Sequence, residues 1–187
     1  MLRLIPNLLT LGRLVLVPVV LRAMWTGNFG VALAWCFVAG LTDALDGALA
    51  RGLHARSRIG AYLDPVADKL LLSGIYLVFA LRGDIPWWIT AIVFGRDAMI
   101  LAFVGYAFAF TSIRDFPPTV WGKLSTMVQV IAALMVLLSG VVHPGPGIRG
   151  LEHTVLGAAV LATLWSAIHY AIVAGSMLRR NAVKRAD

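Results

Sequence analysis

Residues 87–110 read WWITAIVFGRDAMILAFVGYAFAF. One adjacent pair of charges, Arg96 and Asp97, interrupts an otherwise apolar and aromatic run. Crossing the hydrocarbon core of a bilayer takes about 20 residues of helix, and this stretch is long enough. Runs of the same kind lie on both sides of it. Leu8 to about Trp25, Phe29 to about Ala50, and Arg58 to about Leu81 precede it, and Val120 to about Val142 and Leu151 to about Leu178 follow. The expectation is an all-α integral membrane protein: six transmembrane helices in one bundle, with Met1–Asn7 as a short interfacial lead and residues 1–187 forming a single domain.

The connections support that expectation. Thr26-Gly27-Asn28 and Arg82-Gly83-Asp84 are tight-turn signals, and Pro86 suits the first turn of a helix. Gly52–Ser57 reads as a basic loop, Thr111–Pro118 as a loop ended by two prolines, and His143–Gly150 (HPGPGIRG) as a rigid turn. RRNAVKRAD closes the chain as a polar tail. Arg3 ahead of an apolar stretch imitates a signal peptide, but Pro6, Asn7 and Arg13 interrupt that pattern, so the segment is kept as structure.

Of 187 residues, 60% are hydrophobic and 13% charged, and the mean hydropathy is +0.86. A soluble domain of this length is more polar. The net charge of +7 reads as a positive-inside bias and an attraction for anionic headgroups or phosphorylated substrates, and not as a nucleic-acid footprint. Arg51, Arg56, Arg58, Arg114, Lys123 and the terminal cations fall on one side of the six-span layout, against Arg22, Arg82 and Arg149 on the other. Both termini are therefore expected in the cytoplasm. A lone cysteine, Cys36, excludes an internal disulfide and any CxxC metal site.

Between the second and third spans the pattern changes. TDALDGALARGLHARSRIGAYLDPVADKLL, Thr42–Leu71, carries Asp43, Asp46, Asp64 and Asp68 within apolar sequence. Asp43 and Asp46 are three apart, and Asp64 and Asp68 four apart, so each pair shares a helix face. Unpaired, four such charges repel one another and are costly to desolvate. Arg51, Arg56, Arg58 and Lys69 are candidate partners, but a divalent cation suits an all-oxygen donor set better, and Mg²⁺, Mn²⁺ or Ca²⁺ fits before zinc. Gly47, Ala50 and Gly60 leave room beside the helix backbones, and Arg51 stands where it can meet a phosphate. Spacing alone leaves three readings open: a phosphoryl-transfer site, an ion or proton path of a small transporter, and a structural ion-pair network.

Asp43-Ala-Leu-Asp46-Gly47-Ala-Leu-Ala50-Arg51, eight residues, then Gly60-x3-Asp64-x3-Asp68 fits the pattern D-x2-D-G-x2-A-R-x8-G-x3-D-x3-D without a gap. The chain thereby resembles the CDP-alcohol phosphotransferase family, and PNLLTLGR, Pro6–Arg13, resembles its N-terminal segment. The resemblance implies transfer of the phosphatidyl group of CDP-diacylglycerol to a hydroxyl with release of CMP. It implies Asp43, Asp46, Asp64 and Asp68 at two metal ions, with Asp68 also as general base. It implies Gly47, Ala50, Arg51 and Gly60 along the CDP site and a homodimer. The compact chain without a transit extension favours a bacterial inner membrane over an organellar one, and the asymmetry of Lys and Arg places the active site at the cytoplasmic face.

GRDAM, Gly95–Met99, and PPTVWGKLSTMVQ, Pro117–Gln129, resemble the branch with glycerol-type acceptors. Phosphatidylglycerophosphate synthases of that branch typically carry Arg-Glu and Lys-x-Lys-Thr, where this chain has Arg96-Asp97 and Lys123-Leu124-Ser125-Thr126. The missing second Lys looks more like the cardiolipin synthases, whose acceptor is phosphatidylglycerol; glycerol 3-phosphate is the alternative. Arg96, Lys123 and Ser125 are the candidate acceptor residues. His54, His169 and Tyr170 read as loop and packing residues, and Trp87, Trp88 and Trp121 as interface markers.

Overall fold

A computed structural model describes the backbone of residues 5–53, 58–110, 119–142 and 146–186, and side chains at 12, 14–42, 69–107, 109, 119–142 and 147–177. Six helices occur among the described residues: α1 (Ile5–Trp25), α2 (Phe29–Leu53), α3 (Arg58–Arg82), α4 (Trp87–Phe110), α5 (Val120–Val142) and α6 (Pro146–Ala186). Three contain segments long and apolar enough to cross a membrane, Trp87–Ala107, Val120–Val142 and Gly147–Met177. Leu14–Trp25 and Phe29–Thr42 are shorter apolar helical stretches.

Large apolar side chains face outward while several polar ones are buried. Phe37 is 70% exposed and Leu161 69%, while Ser125, Gln129, Thr163 and Ser166 are buried. Apolar side chains outside and hydrogen-bonded small polar ones between helices suit a lipid solvent, where the hydrophobic effect does not hold helices together.

Two helix ends close as the sequence predicts. Gly27 and Gly83 both adopt φ of 79°, a region that L side chains avoid. Asn28 N–H donates to the Ala23 carbonyl and Gly27 N–H to that of Met24, both at 2.9 Å. Asp84 N–H to Phe79 (2.9 Å) and Gly83 N–H to Ala80 (3.2 Å) repeat the arrangement. These Schellman closures satisfy carbonyls that the end of a helix leaves without partners.

Helix boundaries depart from expectation in several places, and α2 runs on to Leu53, into the expected basic loop. The helix α1 begins at Ile5, so Pro6 and Asn7 belong to its first turn, where a missing N–H costs nothing. Pro18 lies inside α1, which continues through it. Residues 146–150, expected as turn, and 179–186, expected as tail, are both part of α6, a helix of 41 residues. Pro146 sits at its first position, where proline is pre-organised for helix, and the Arg, Lys and Ala of the tail are strong helix formers. At about 1.5 Å per residue, α6 is roughly twice as long as a bilayer core is thick.

The chain divides into two compact units. In the first, comprising residues 1–85 and 133–149, α1 packs on α2 and α3, burying Val20, Met24, Ala32, Tyr76 and Phe79. Gly74 lies so close to Leu21 that a Cβ there would meet its Cδ1 at 2.8 Å. Arg82 links the two turns of this unit. It donates from Nε to Asp84 Oδ2 at 2.9 Å and from Nη1 to the Trp25 carbonyl at 2.7 Å, and lies 5.0 Å from the Phe29 ring centroid. The second unit comprises residues 86–132 and 150–187, and its polar interior forms much of the candidate site described next.

Candidate active site

The acid-rich stretch divides between two helices. Asp43, Asp46, Gly47, Ala50 and Arg51 fall on the C-terminal part of α2, and Gly60, Asp64 and Asp68 on the first turns of α3. The backbone is therefore helical on both sides, as the shared-face reading of their spacing requires. Their side chains lie outside the described residues, as do residues 54–57, which include His54. Lys69, next along α3, is exposed. Among the described residues no group of three or more His, Cys, Asp or Glu could hold a metal ion; the four aspartates lie outside them. Four carboxylates in helical register fit a hard divalent cation by donor chemistry.

Arg96 forms a second centre, in the other unit. It is 9% exposed. Nη1 donates to Asp97 Oδ1 at 2.7 Å and Nη2 to Ser166 Oγ at 3.1 Å. The guanidinium carbon lies 5.8 Å from the centroid of the Tyr170 ring. Asp97 offsets the charge, which lowers the cost of a buried cation on a membrane helix. Even so, Nε is buried without a hydrogen-bond partner. A guanidinium offers five N–H donors in a fixed fork, so an unused Nε–H is spare capacity for an anion.

Close helix approach shapes this centre. A Cβ at Gly122 would lie 3.1 Å from Arg96 Nη2, 3.2 Å from Thr119 Oγ1 and 3.3 Å from the Tyr170 ring. Glycine here lets the first turn of α5 reach both the guanidinium and α6. Thr119 caps that turn, its Oγ1 accepting from Gly122 N–H at 3.1 Å. Lys123 follows on the exposed side of α5. The cation pair expected from sequence thus consists of one buried and one exposed group.

Ser125 is turned inward, with no exposed surface. Gln129 Nε2 donates to Thr163 Oγ1 at 2.8 Å and to Ser125 Oγ at 3.5 Å, and Thr163 Oγ1 donates to the Ala159 carbonyl at 2.6 Å. These side chains tie α5 to α6. Beside them, Trp121, Leu124, Ser125, Leu161, Ala162 and Trp165 line an open groove of about 380 Å³. Trp121 and Trp165 meet edge to face, with centroids 5.8 Å apart.

Sequence reasoning did not single out Gly122 or Ser166, and took Tyr170 and His169 as packing. The structure brings Gly122, Ser166 and Tyr170 to the Arg96 guanidinium. The only local signal was Ser166 and Tyr170 at a four-residue spacing on one helix. His169 Nδ1 is buried without a partner.

Residues 3–169 match the model of a family described as CDP-alcohol phosphatidyltransferase. The chain is 36% identical over 177 residues to a probable phosphatidylglycerophosphate synthase of Mycobacterium tuberculosis, covering 88% of this chain and 78% of that protein. A CDP-diacylglycerol–glycerol-3-phosphate 3-phosphatidyltransferase of Shigella flexneri is 34% identical over 175 residues, or 89% of this chain and 92% of that one. A probable cardiolipin synthase (CMP-forming) of Drosophila melanogaster is 29% identical over 172 residues, covering 91% of this chain and 51% of that protein.

Proposed function

Because the chain belongs to the CDP-alcohol phosphatidyltransferase family, and so is a phosphatidyltransferase of phospholipid synthesis, we propose that it transfers the phosphatidyl group of CDP-diacylglycerol to phosphatidylglycerol. The products are cardiolipin and CMP. The observation that carries this reading is the second cation site. Where the phosphatidylglycerophosphate synthase pattern has a second Lys, this chain has Ser125, which is fully buried and bonded to Gln129 of its own helix and to Thr163 of α6. Arg96 and Lys123 remain as acceptor cations, suited to a phosphodiester of single charge.

In this proposal residues 1–187 form one six-span domain, a homodimer in a bacterial inner membrane, with both termini and the aspartates at the cytoplasmic face. Gly47, Ala50 and Gly60 admit the cytidine diphosphate and Arg51 holds its phosphates. Asp43, Asp46, Asp64 and Asp68 would hold two Mg²⁺ or Mn²⁺ ions. Bound there, these neutralise the diphosphate and stabilise the departing CMP oxygen. Arg96 and Lys123 orient the acceptor. Its hydroxyl oxygen bonds to the phosphatidyl phosphorus, the bond from that phosphorus to the CMP oxygen breaks, and Asp68 accepts the hydroxyl proton.

The second reading has glycerol 3-phosphate as acceptor. It is supported by the relatives named for that reaction, one of which matches over 92% of its length. The test gives purified protein CDP-diacylglycerol, Mg²⁺ or Mn²⁺, and either acceptor, and identifies the lipid formed. Cardiolipin is expected. Phosphatidylglycerophosphate as sole product would overturn the acceptor assignment, and absence of CMP with every acceptor would overturn the transferase.

A further inference from the structure

The groove between α5 and α6 serves no purpose in the scheme above, yet it adjoins Arg96 on both of its helices. Trp121 lines the groove, and the next residue, Gly122, lies against Arg96 Nη2. Trp165 lines it from α6, and the next residue, Ser166, accepts from the same Nη2 at 3.1 Å. The head of the groove is therefore one residue from the guanidinium on each wall. Everything else lining it is apolar except Ser125, whose hydroxyl faces Thr163 at 3.5 Å.

A cation behind the residues next to Trp121 and Trp165, with an apolar trough beside it, has the polarity of a phospholipid. The buried Nε–H of Arg96, with no protein partner, and exposed Lys123 supply the charge complement for a phosphate. About 380 Å³ lies within the range of small-molecule sites, about 300–1,000 Å³. Leu161 and Trp165 on the rim are exposed, so a chain can enter sideways from the bilayer. A free glycerol phosphate would use the cation and leave the trough idle.

We infer that this groove seats an acyl chain of the acceptor, an anionic phospholipid whose phosphate meets Arg96. The inference rests on the phosphatidylglycerol reading above and deepens it: the acceptor is selected by its tail as well as by its headgroup. Ala162 forms part of the groove wall and Leu161 its rim.

Two substitutions test it. Ala162→Phe fills the groove; Leu161→Trp crowds it from a position that is 69% exposed, where folding tolerates bulk. Each is assayed with CDP-diacylglycerol and either dioleoyl or dihexanoyl phosphatidylglycerol, with glycerol 3-phosphate as a third arm. Losing contact with roughly two methylenes raises KM for the dioleoyl acceptor about tenfold, and for the dihexanoyl acceptor no more than about twofold. Native mass spectrometry of the full chain reads the same site without turnover: wild type retains dioleoyl phosphatidylglycerol and both variants lose it. Unchanged KM and unchanged lipid retention in both variants overturn the groove and leave the acceptor reading intact. A wild type that uses glycerol 3-phosphate and neither phosphatidylglycerol overturns the acceptor reading, and with it the groove's role.

Discussion

Arg82 and Arg96 are the same residue type near helix ends and helix middles of one chain, and their surroundings differ in kind. Arg82 joins an Asp carboxylate, a backbone carbonyl and an aromatic face, all within its own unit and partly in solvent. It closes the α1–α2 turn against the α3 end. Arg96 is more deeply buried, with a carboxylate, a hydroxyl and a ring around it, yet its Nε–H has no acceptor. A buried donor without a partner costs about 1–3 kcal/mol, so a purely structural role gives no reason to keep it. The contrast separates an arginine that fastens turns from one that holds binding capacity in reserve.

The largest effect is expected at neither arginine but at the aspartates. Asp68→Asn should lower kcat by about 10²–10⁴, the usual contribution of a general base, measured as CMP release at saturating acceptor. Next comes Arg96→Gln. Losing a charge-assisted contact worth about 1.5–3 kcal/mol should lower kcat/KM for the acceptor by roughly 10- to 100-fold while KM for CDP-diacylglycerol holds. An equal loss for both substrates would place Arg96 among the structural residues after all.

Arg82→Ala should do the reverse. Its partly exposed ion pair, carbonyl bond and ring contact together stabilise by about 1–2 kcal/mol, read as a lower unfolding midpoint in detergent, with kcat per folded molecule unchanged. A loss of turnover without a loss of stability would make the two arginines alike. Gly27→Ala acts on the same turn through the backbone. At φ of 79° a Cβ costs about 1–2 kcal/mol, and again only stability should move. The smallest effect is Gln129→Leu, which cuts the α5–α6 hydrogen bonds. Such bonds in membrane bundles average about 0.6 kcal/mol, so a change of several kcal/mol would show that this buried contact also orders the neighbouring Arg96 centre.

Much of the fold was legible because its determinants are local. Apolar runs mark helices, and Gly27 and Gly83 mark turns because only glycine takes their φ without strain. Two misreadings had a shared cause. HPGPGIRG looked like punctuation, but Pro146 is tolerated where a helix begins, and the glycines after it do not stop the helix. The polar tail looked like an end, but Arg, Lys and Ala propagate a helix whether or not lipid surrounds it. Composition identifies what dislikes lipid, which is a different property from what dislikes helix.

Two features of the candidate site divide along the same line. The register of Asp43, Asp46, Asp64 and Asp68 follows from spacing, since the 3.6-residue period of a helix turns intervals of three and four into one face, and the eight-position pattern they complete identified the family. The company of Arg96 does not follow from any spacing. Ser166 is 70 residues away and Thr163 is 34 from Gln129. These meet through helix packing, with Gly122 leaving room for the first turn of α5 beside the guanidinium. Local periodicity is written along the chain; which remote faces meet, and which donor they leave unfilled, is decided by side-chain packing between helices.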